Sequence, residues 1–296
     1  MKRCLNLFAV LCLSLSLLPA ASTSYVVLQK GANSLIRISS DGSSIMTIAD
    51  GLDAQRTSLD SGLAIDSRGN YIVAAGSKLL SVTPSGAVST LTEAPGDSLW
   101  TAVAVDAHGN LIVADGRKPT IWRVSPDGSA ITKVATYDAY DSSERPVGVA
   151  VDSAGDYWVV VLDADPNTAG LPSLTRVYRI SPDGVAREVR LHGVRSFSFS
   201  GGIAFDASGD LLFTDHRQEG LLRIAKDGEV LRLAPMSTQC GGMWGLARDT
   251  TTGAILATAP FCGMVIRSNP EGSGVETFTR LGKIGLPYAI AIESGR

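Results

Sequence analysis

The chain repeats one short phrase six times: Gly62-Leu-Ala-Ile-Asp66, Ala102-Val-Ala-Val-Asp106, Gly148-Val-Ala-Val-Asp152, Gly202-Ile-Ala-Phe-Asp206, Gly245-Leu-Ala-Arg-Asp249 and Ala289-Ile-Ala-Ile-Glu293. Successive copies begin 40, 46, 54, 43 and 44 positions apart. A period of about 40–50 residues marks a propeller or solenoid assembled from small sheets. Most side chains of the phrase are apolar, so this strand is covered on both of its faces.

Working outward from the phrase gives the rest of the unit. After the acid comes a tight turn with Gly before Asn or Asp, as in Ser67-Arg-Gly-Asn70 and Ala207-Ser-Gly-Asp210. Gly there supplies the positive φ that a hairpin needs. A second strand follows (Tyr71–Ala75, Leu111–Asp115, Tyr157–Val161, Leu211–Asp215), then an alternating third (Ile121–Val124, Val177–Ile180, Leu221–Ile224). An Asp-Gly turn and a fourth strand, as in Glu188–Leu191 and Glu229–Leu233, close it. Four antiparallel strands, repeated, predict an all-β fold of propeller blades. The ends set the count. Residues 25–48 supply strands two to four without a first, and 289–293 supply a first strand without successors. The two fragments make one blade, so five whole blades and one shared blade predict a six-bladed ring closed by its own termini, with no sheet edge left at the seam.

Residues 1–22 read as a secretory leader: basic Lys2-Arg3, an apolar run from Leu5 to Leu18, then Pro19-Ala-Ala-Ser22 for cleavage. The run is too short and wrongly flanked for a stable membrane span, and no small residue precedes Cys4 or Cys12 in the pattern lipidation needs. Residues 23–296 form the propeller, expected to be a monomer, secreted or periplasmic, without a membrane anchor. Losing Lys2 and Arg3 takes the formal charge from −3 to −5. A mildly acidic surface without a basic stripe argues against nucleic acid. Cys240 and Cys262 then remain, in the loop entering blade five and just after the second strand of that blade. Two cysteines at the same end of neighbouring strands predict one disulfide; two buried free thiols are the alternative.

The first strand, Asp-x-x-Gly-Asn/Asp, a strand ending Ala-Asp, Ile-x-Arg-Val/Ile and Ser-Pro-Asp-Gly resemble the NHL repeat, best between Ala102 and Gly128 and between Gly148 and Gly184. The resemblance spans nearly all of the mature chain, in degraded form in blades one, five and six. It implies a six-bladed superfamily that includes binding scaffolds, lactonases resembling gluconolactonase and regucalcin, streptogramin B lyases and peptide-amidating lyases. A shared fold does not choose among them.

Propeller topology puts the loops between strands two and three, and those linking blades, around one channel mouth, where function tends to sit. The longest run from Leu162 to Thr175 and from His192 to Ser200. The resemblance implies Asn or Asp before the phrase in metal-dependent lactonases, and His in streptogramin-type lyases. This chain has Ser61, Thr101, Val147, Gly201, Trp244 and Tyr288 there. None is a strong ligand or an acid–base group, so no cofactor and no metal site is predicted, and a divalent ion such as Ca or Zn enters only with an enzymatic alternative.

The candidates left on that face are Asp115, Asp215 and His216 for catalysis, and Trp100, Trp244, Tyr288, Asp163 and Arg217 for ligand binding. Each has a structural alternative. Asp at the end of strand two recurs and would cap the following loop; Asp163 and Asp165 would form an Asx turn before Pro166; the aromatic residues would plug the channel. The acids ending each phrase, Asp66 to Glu293, and the Arg of strand three recur with the repeat, so they read as turn caps and as solvated or blade-bridging side chains. The function expected is an exported binding module taking a protein, peptide, carbohydrate or small molecule at the channel mouth. The alternative is a lactonase- or lyase-type enzyme with a rearranged site.

Overall fold

Every repeated phrase forms the innermost strand of a blade. The computed structural model describes residues 23–52, 62–138, 144–163, 175–193, 199–215, 220–235, 242–282 and 285–294. From the channel outward, blade one runs Leu63–Ile65, Tyr71–Ala74, Lys78–Val82 and Val88–Glu93. Blade two runs Trp100–Val105, Leu111–Asp115, Thr120–Val124 and Ile131–Thr136. Blade three runs Glu144–Val151, Tyr157–Asp163, Thr175–Ile180 and Ala186–Glu188. Blade four runs Phe199–Phe205, Leu211–Asp215, Gly220–Ile224 and Glu229–Pro235. Blade five runs Leu246–Arg248, Ile255–Ala259, Met264–Ser268 and Glu276–Arg280. Blade six takes Leu286–Glu293 from one end of the chain and Ser24–Lys30, Ser34–Ile38 and Ile45–Ala49 from the other. Among the described residues no helix is long and apolar enough to cross a membrane.

The expected six-bladed ring and its closure are both present. Ser24 pairs with Glu293, Tyr25 with Ile292 and Val27 with Ile290 in an antiparallel register. Arg37 and Ser24 donate to Glu293 Oε2 at 2.8 and 2.7 Å, and Tyr71 of blade one donates to its Oε1 at 2.9 Å. Burial alone would raise the Glu293 pKa, but these bonds outweigh it and hold the carboxyl below its ordinary range.

Cohesion lies between blades. Six hydrophobic clusters form, one at each junction; Ile72, Ala74 and Leu79 of blade one, for example, pack on Trp100, Val103 and Leu111 of blade two. A second strand such as Tyr71-Ile-Val-Ala therefore buries both faces, one against each neighbour, which is why it is apolar throughout.

The repeated polar residues hold the turns. Asp106 Oδ1 accepts from the backbone N–H of His108 and Asn110 at 2.9 and 2.8 Å, and Asp66, Asp152 and Asp206 do the same in their blades. Arg123 bridges to the next blade through Tyr157 Oη and Pro182 O, whereas Arg179 and Arg223 pair with the acids of their own blades.

Two features depart from the four-strand scheme. The outer strand of blade three ends at Glu188, three residues short of expectation. His192–Gly193 leaves that blade and pairs in parallel with Glu229 and Val230, giving blade four a fifth strand at its rim. The inner strands also approach closely where the phrase begins with Gly. Gly62 N–H donates to Thr101 O, and Gly202 N–H to Trp244 O, both at 2.9 Å.

Candidate functional site

The mouth face splits into a buried polar sector and an aromatic rim. Asp115 is fully buried at the end of its strand. Its Oδ1 accepts from Leu99 N and Arg117 N at 3.1 and 3.0 Å, and its Oδ2 from Trp122 Nε1 at 3.3 Å. Asp215 is equally buried, and Arg232 Nη2 donates to it at 3.4 Å. Asp115 thus holds the loop that leaves its strand, and Asp215 pairs with the outer strand of its own blade. They stand in blades two and four, with blade three between them. His216 and Arg217 lie outside the described residues, as do Ser61, Asp165 and Cys240. Asp163 closes its strand opposite Glu144.

A second polar cluster, not singled out in the sequence, stands at the base of blade three. Arg176 Nη1 donates to both oxygens of Glu144 at 3.0 and 2.9 Å, and Nη2 donates to Glu188 at 2.9 Å. Asp138 O accepts from Arg176 and from Tyr178 Oη. Burial of Arg176 disfavours its charge, but the bonds to Glu188 and Glu144 prevail and raise its pKa. Burying an ion pair is costly unless every donor is satisfied; here the satisfied fork pins both ends of the 144–176 segment. Among the described residues no three His, Cys, Asp or Glu side chains converge as a metal site.

The residues preceding the inner strands fall into two groups. Thr101 is buried, and its hydroxyl donates across the junction to Pro146 O at 3.0 Å, so it serves ring assembly rather than the mouth. Trp100 is fully buried between blades one and two, where its indole Nε1 finds no acceptor among the described residues. It does not join the other two aromatic candidates. Trp244 and Tyr288 do meet, with ring centroids 5.2 Å apart at 52°. Lys30 Nζ lies 4.7 Å from the Tyr288 centroid, a cation–π distance. Burial raises the Tyr288 phenol above its ordinary pKa, so it stays protonated and able to donate.

Beside this pair the sequence reading missed two residues. Phe261 is 60% exposed and Leu286 is 40% exposed, the first in the turn Pro260–Cys262 that abuts the strand carrying the second. The signal available was an aromatic residue inside Pro-Phe-Cys-Gly, a turn sequence with no repeat position for it to fill. Phe261 and Leu286 thus stand exposed on the mouth side of blades five and six, where the buried Trp244 meets Tyr288 and Lys30 lies over the Tyr288 ring. Such a surface can hold an apolar or aromatic group and offer it a phenol and an ammonium.

Comparison with known proteins supports the fold and names the family. The family model for the SMP-30/gluconolactonase/LRE-like region matches residues 76–279. No curated protein matches the chain in sequence. Among solved structures, virginiamycin B lyase from Staphylococcus aureus is similar at 17% identity and a TM-score of 0.58, over 78% of this chain and 73% of that one. Regucalcin from Agrobacterium tumefaciens, described as a calcium-binding protein, is similar at 16% identity and a TM-score of 0.62, over 80% and 79%. A chain of a nidogen–laminin complex is similar at 15% identity and a TM-score of 0.70, over 91% and 98%. At these identities the likeness is one of fold. With the family match spanning most of a ring whose six blades are accounted for strand by strand, the chain belongs to the SMP-30/gluconolactonase/LRE-like family.

Proposed function

We propose that this chain is an exported binding module whose partner docks at the channel mouth, over blades five and six. The observation that carries the reading is the exposure of Phe261 and Leu286, in a turn and a strand that contact each other on the blades that also carry the Trp244–Tyr288 pair. Large apolar side chains cost free energy when left in water, and a contiguous patch of them on a rigid scaffold is characteristic of interaction sites. The partner is a protein, peptide, carbohydrate or small molecule that presents an apolar or planar group, bound by a monomer without nucleic acid or a membrane anchor. The fold likeness to a chain solved within a nidogen–laminin complex supports a binding role for such a ring. A photo-crosslinking residue at position 261 should give a discrete adduct in the producing cells, whereas one at Val185, exposed on the opposite face, should not. Phe261→Ala should weaken binding about tenfold or more with little change in melting temperature, because aromatic anchors dominate interfaces. Equal adducts at both positions, or none at 261, would overturn the reading.

The family match favours a second reading, a lactone hydrolase or C–O lyase using His216 with Asp115 or Asp215, where a divalent ion would belong. Against it, the Asp115 carboxylate is engaged by Leu99, Arg117 and Trp122, and that of Asp215 by Arg232. Lactones and cyclic depsipeptides, offered with calcium or zinc, decide between the two. Turnover lowered about 100-fold by His216→Ala would establish the enzyme.

Export also carries the proposed Cys240–Cys262 disulfide. Cys262 ends the turn after strand two of blade five and packs against the apolar cluster between blades four and five. The bond would close a loop of about 22 residues, worth roughly 3 kcal/mol in the chain-entropy estimate. Alkylation of the exported protein without reductant should label no thiol, and two labelled thiols would refute the pairing.

A further inference from the structure

On the face opposite the mouth, one turn breaks the repeat. In blades one to four the residue whose carbonyl accepts the N–H of the capping acid is Asn70, Asn110, Asp156 or Asp210. In blade five the same backbone bond, from Asp249 N–H, goes to Ala254 O. Ala254 is therefore the counterpart of those four polar residues, reached through a turn one residue longer. In blades one and two the Asn amide donates to the second oxygen of the acid at 2.9 Å, and in blade three Trp158 Nε1 does so at the same distance. Asp249 Oδ2 has instead a longer bond, 3.3 Å, from Tyr25 Oη of blade six. The strand-three arginine changes partner as well. Arg267 pairs with Glu276 on its own outer strand and stacks on Phe278, leaving the acid to Tyr25.

A groove of about 520 Å³ between blades five and six is lined by Ala254. That volume lies within the range of small-molecule sites, about 300–1,000 Å³. Its floor is buried and polar: Asp249 and Tyr25 are 1% and 3% exposed. Its walls are Thr252, Arg267, Asn269 and Glu276. We propose that this groove binds a neutral polyhydroxylated ligand, a saccharide unit, in the place where the other blades carry their own Asn or Asp.

The choice of ligand follows from the wall chemistry. Two carboxylates face one guanidinium, and that guanidinium is already paired with Glu276, so an anion such as a phosphate or carboxylate meets net repulsion. Asp249 already accepts from Thr251, Thr252 and Tyr25, and Glu276 from Arg267. Carboxylate oxygens can each take a further donor, and the Asn269 amide, bonded to Ser273, carries a second N–H, so the ligand must both give and accept hydrogen bonds within one small body. Vicinal hydroxyls do this without carrying charge, and each oxygen takes either role. A purely apolar ligand would take the exposed Glu276 carboxylate out of water with only its Arg267 pair to compensate. The turn carries the ligand's signal directly, because Thr251 and Thr252 N–H donate to Asp249 Oδ1 at 2.8 and 3.3 Å.

The test uses the mature protein, labelled with ¹⁵N, and titrates cellobiose, maltose and N,N′-diacetylchitobiose to about 10 mM, with glucose 6-phosphate as the charged comparator. At least one neutral disaccharide should shift the backbone amides of Thr251, Thr252, Arg267 and Asn269. Ala254→Asn and Ala254→Asp each restore a side chain that two other blades carry at this position. Both should keep the melting temperature and weaken that binding at least tenfold. The inference is overturned if no disaccharide moves those amides, if the shifts persist in a folded Ala254 variant, or if only the phosphorylated sugar binds. None of these outcomes bears on docking at the mouth, which lies across the ring.

Discussion

Deleting residues 289–296 is expected to abolish cooperative folding, not merely to trim the ring. The deletion removes the partner of Ser24–Leu28 and leaves the buried side chains of Tyr25, Val26, Val27 and Leu28 at an open sheet edge. It also removes Ile290, buried between blades five and six, and the carboxylate that gathers Ser24, Arg37 and Tyr71. Each large apolar side chain returned to water costs about 1.5–3 kcal/mol, against a total stability of about 5–15 kcal/mol for an ordinary domain. The loss therefore matches the whole stability of the fold. Circular dichroism during thermal and urea denaturation should show no sharp transition. A truncated chain that melts like the full one would remove closure as the source of stability.

The second large effect is expected from Gly202→Ala, a single methyl group. A Cβ built there would lie 2.1 Å from Leu246 N and 2.5 Å from Trp244 O, both backbone atoms of the neighbouring inner strand. Neither can turn aside as a flexible side chain would, so blades four and five must separate and the Gly202–Trp244 hydrogen bond must stretch. Overpacking of this kind costs about 3 kcal/mol, and at about 2–4 °C per kcal/mol in a domain of this size the melting temperature should fall by about 10 °C. Ala102 occupies the same place in blade two, where the Thr101 hydroxyl spans the junction to Pro146 O. Ala102→Gly should accordingly cost no more than about 1 kcal/mol. If Gly202→Ala melts within about 2 °C of the wild type, close approach is not what requires glycine there.

That glycine also shows what a sequence reveals and what it hides. The ring was legible because its units are local. An acid, a Gly-Asn turn and an apolar strand recur within a few residues, and the acids of blades one to five cap their turns in the way their repetition suggested, whereas Glu293 binds Ser24, Arg37 and Tyr71 at the seam. Closure was legible by counting strands at the two ends. Gly202 looked like part of the phrase, yet the reason for it is a backbone 43 residues away in the next blade, which no local pattern contains. The same limit applies to the site. Asp115 is a polar residue on a mouth-side loop, and only the structure shows its oxygens spent on Leu99, Arg117 and Trp122. Trp100 and Trp244 stand two and one residues before their repeated phrases, but one is sealed between blades and the other meets Tyr288. The parallel pairing of His192–Gly193 had no alternating pattern to announce it, since two residues are too few. Phe261 was overlooked because reasoning from repeats discounts a residue that belongs to no repeat.

The seam in blade six sets the order of events in folding as well as the final topology. Ser24–Lys30 is the first strand of the ring to be synthesised and Leu286–Glu293 the last, so the Ser24–Glu293 contact spans 269 residues. Pairings this distant form slowly, because a long loop must close before any contact rewards it. Until then five blades can assemble as an open arc with two apolar flanks, the kind of intermediate that associates with its own copies. The rate at which the last strand finds the first, more than the strength of any single blade, governs how much of the chain escapes aggregation on the way to the native ring.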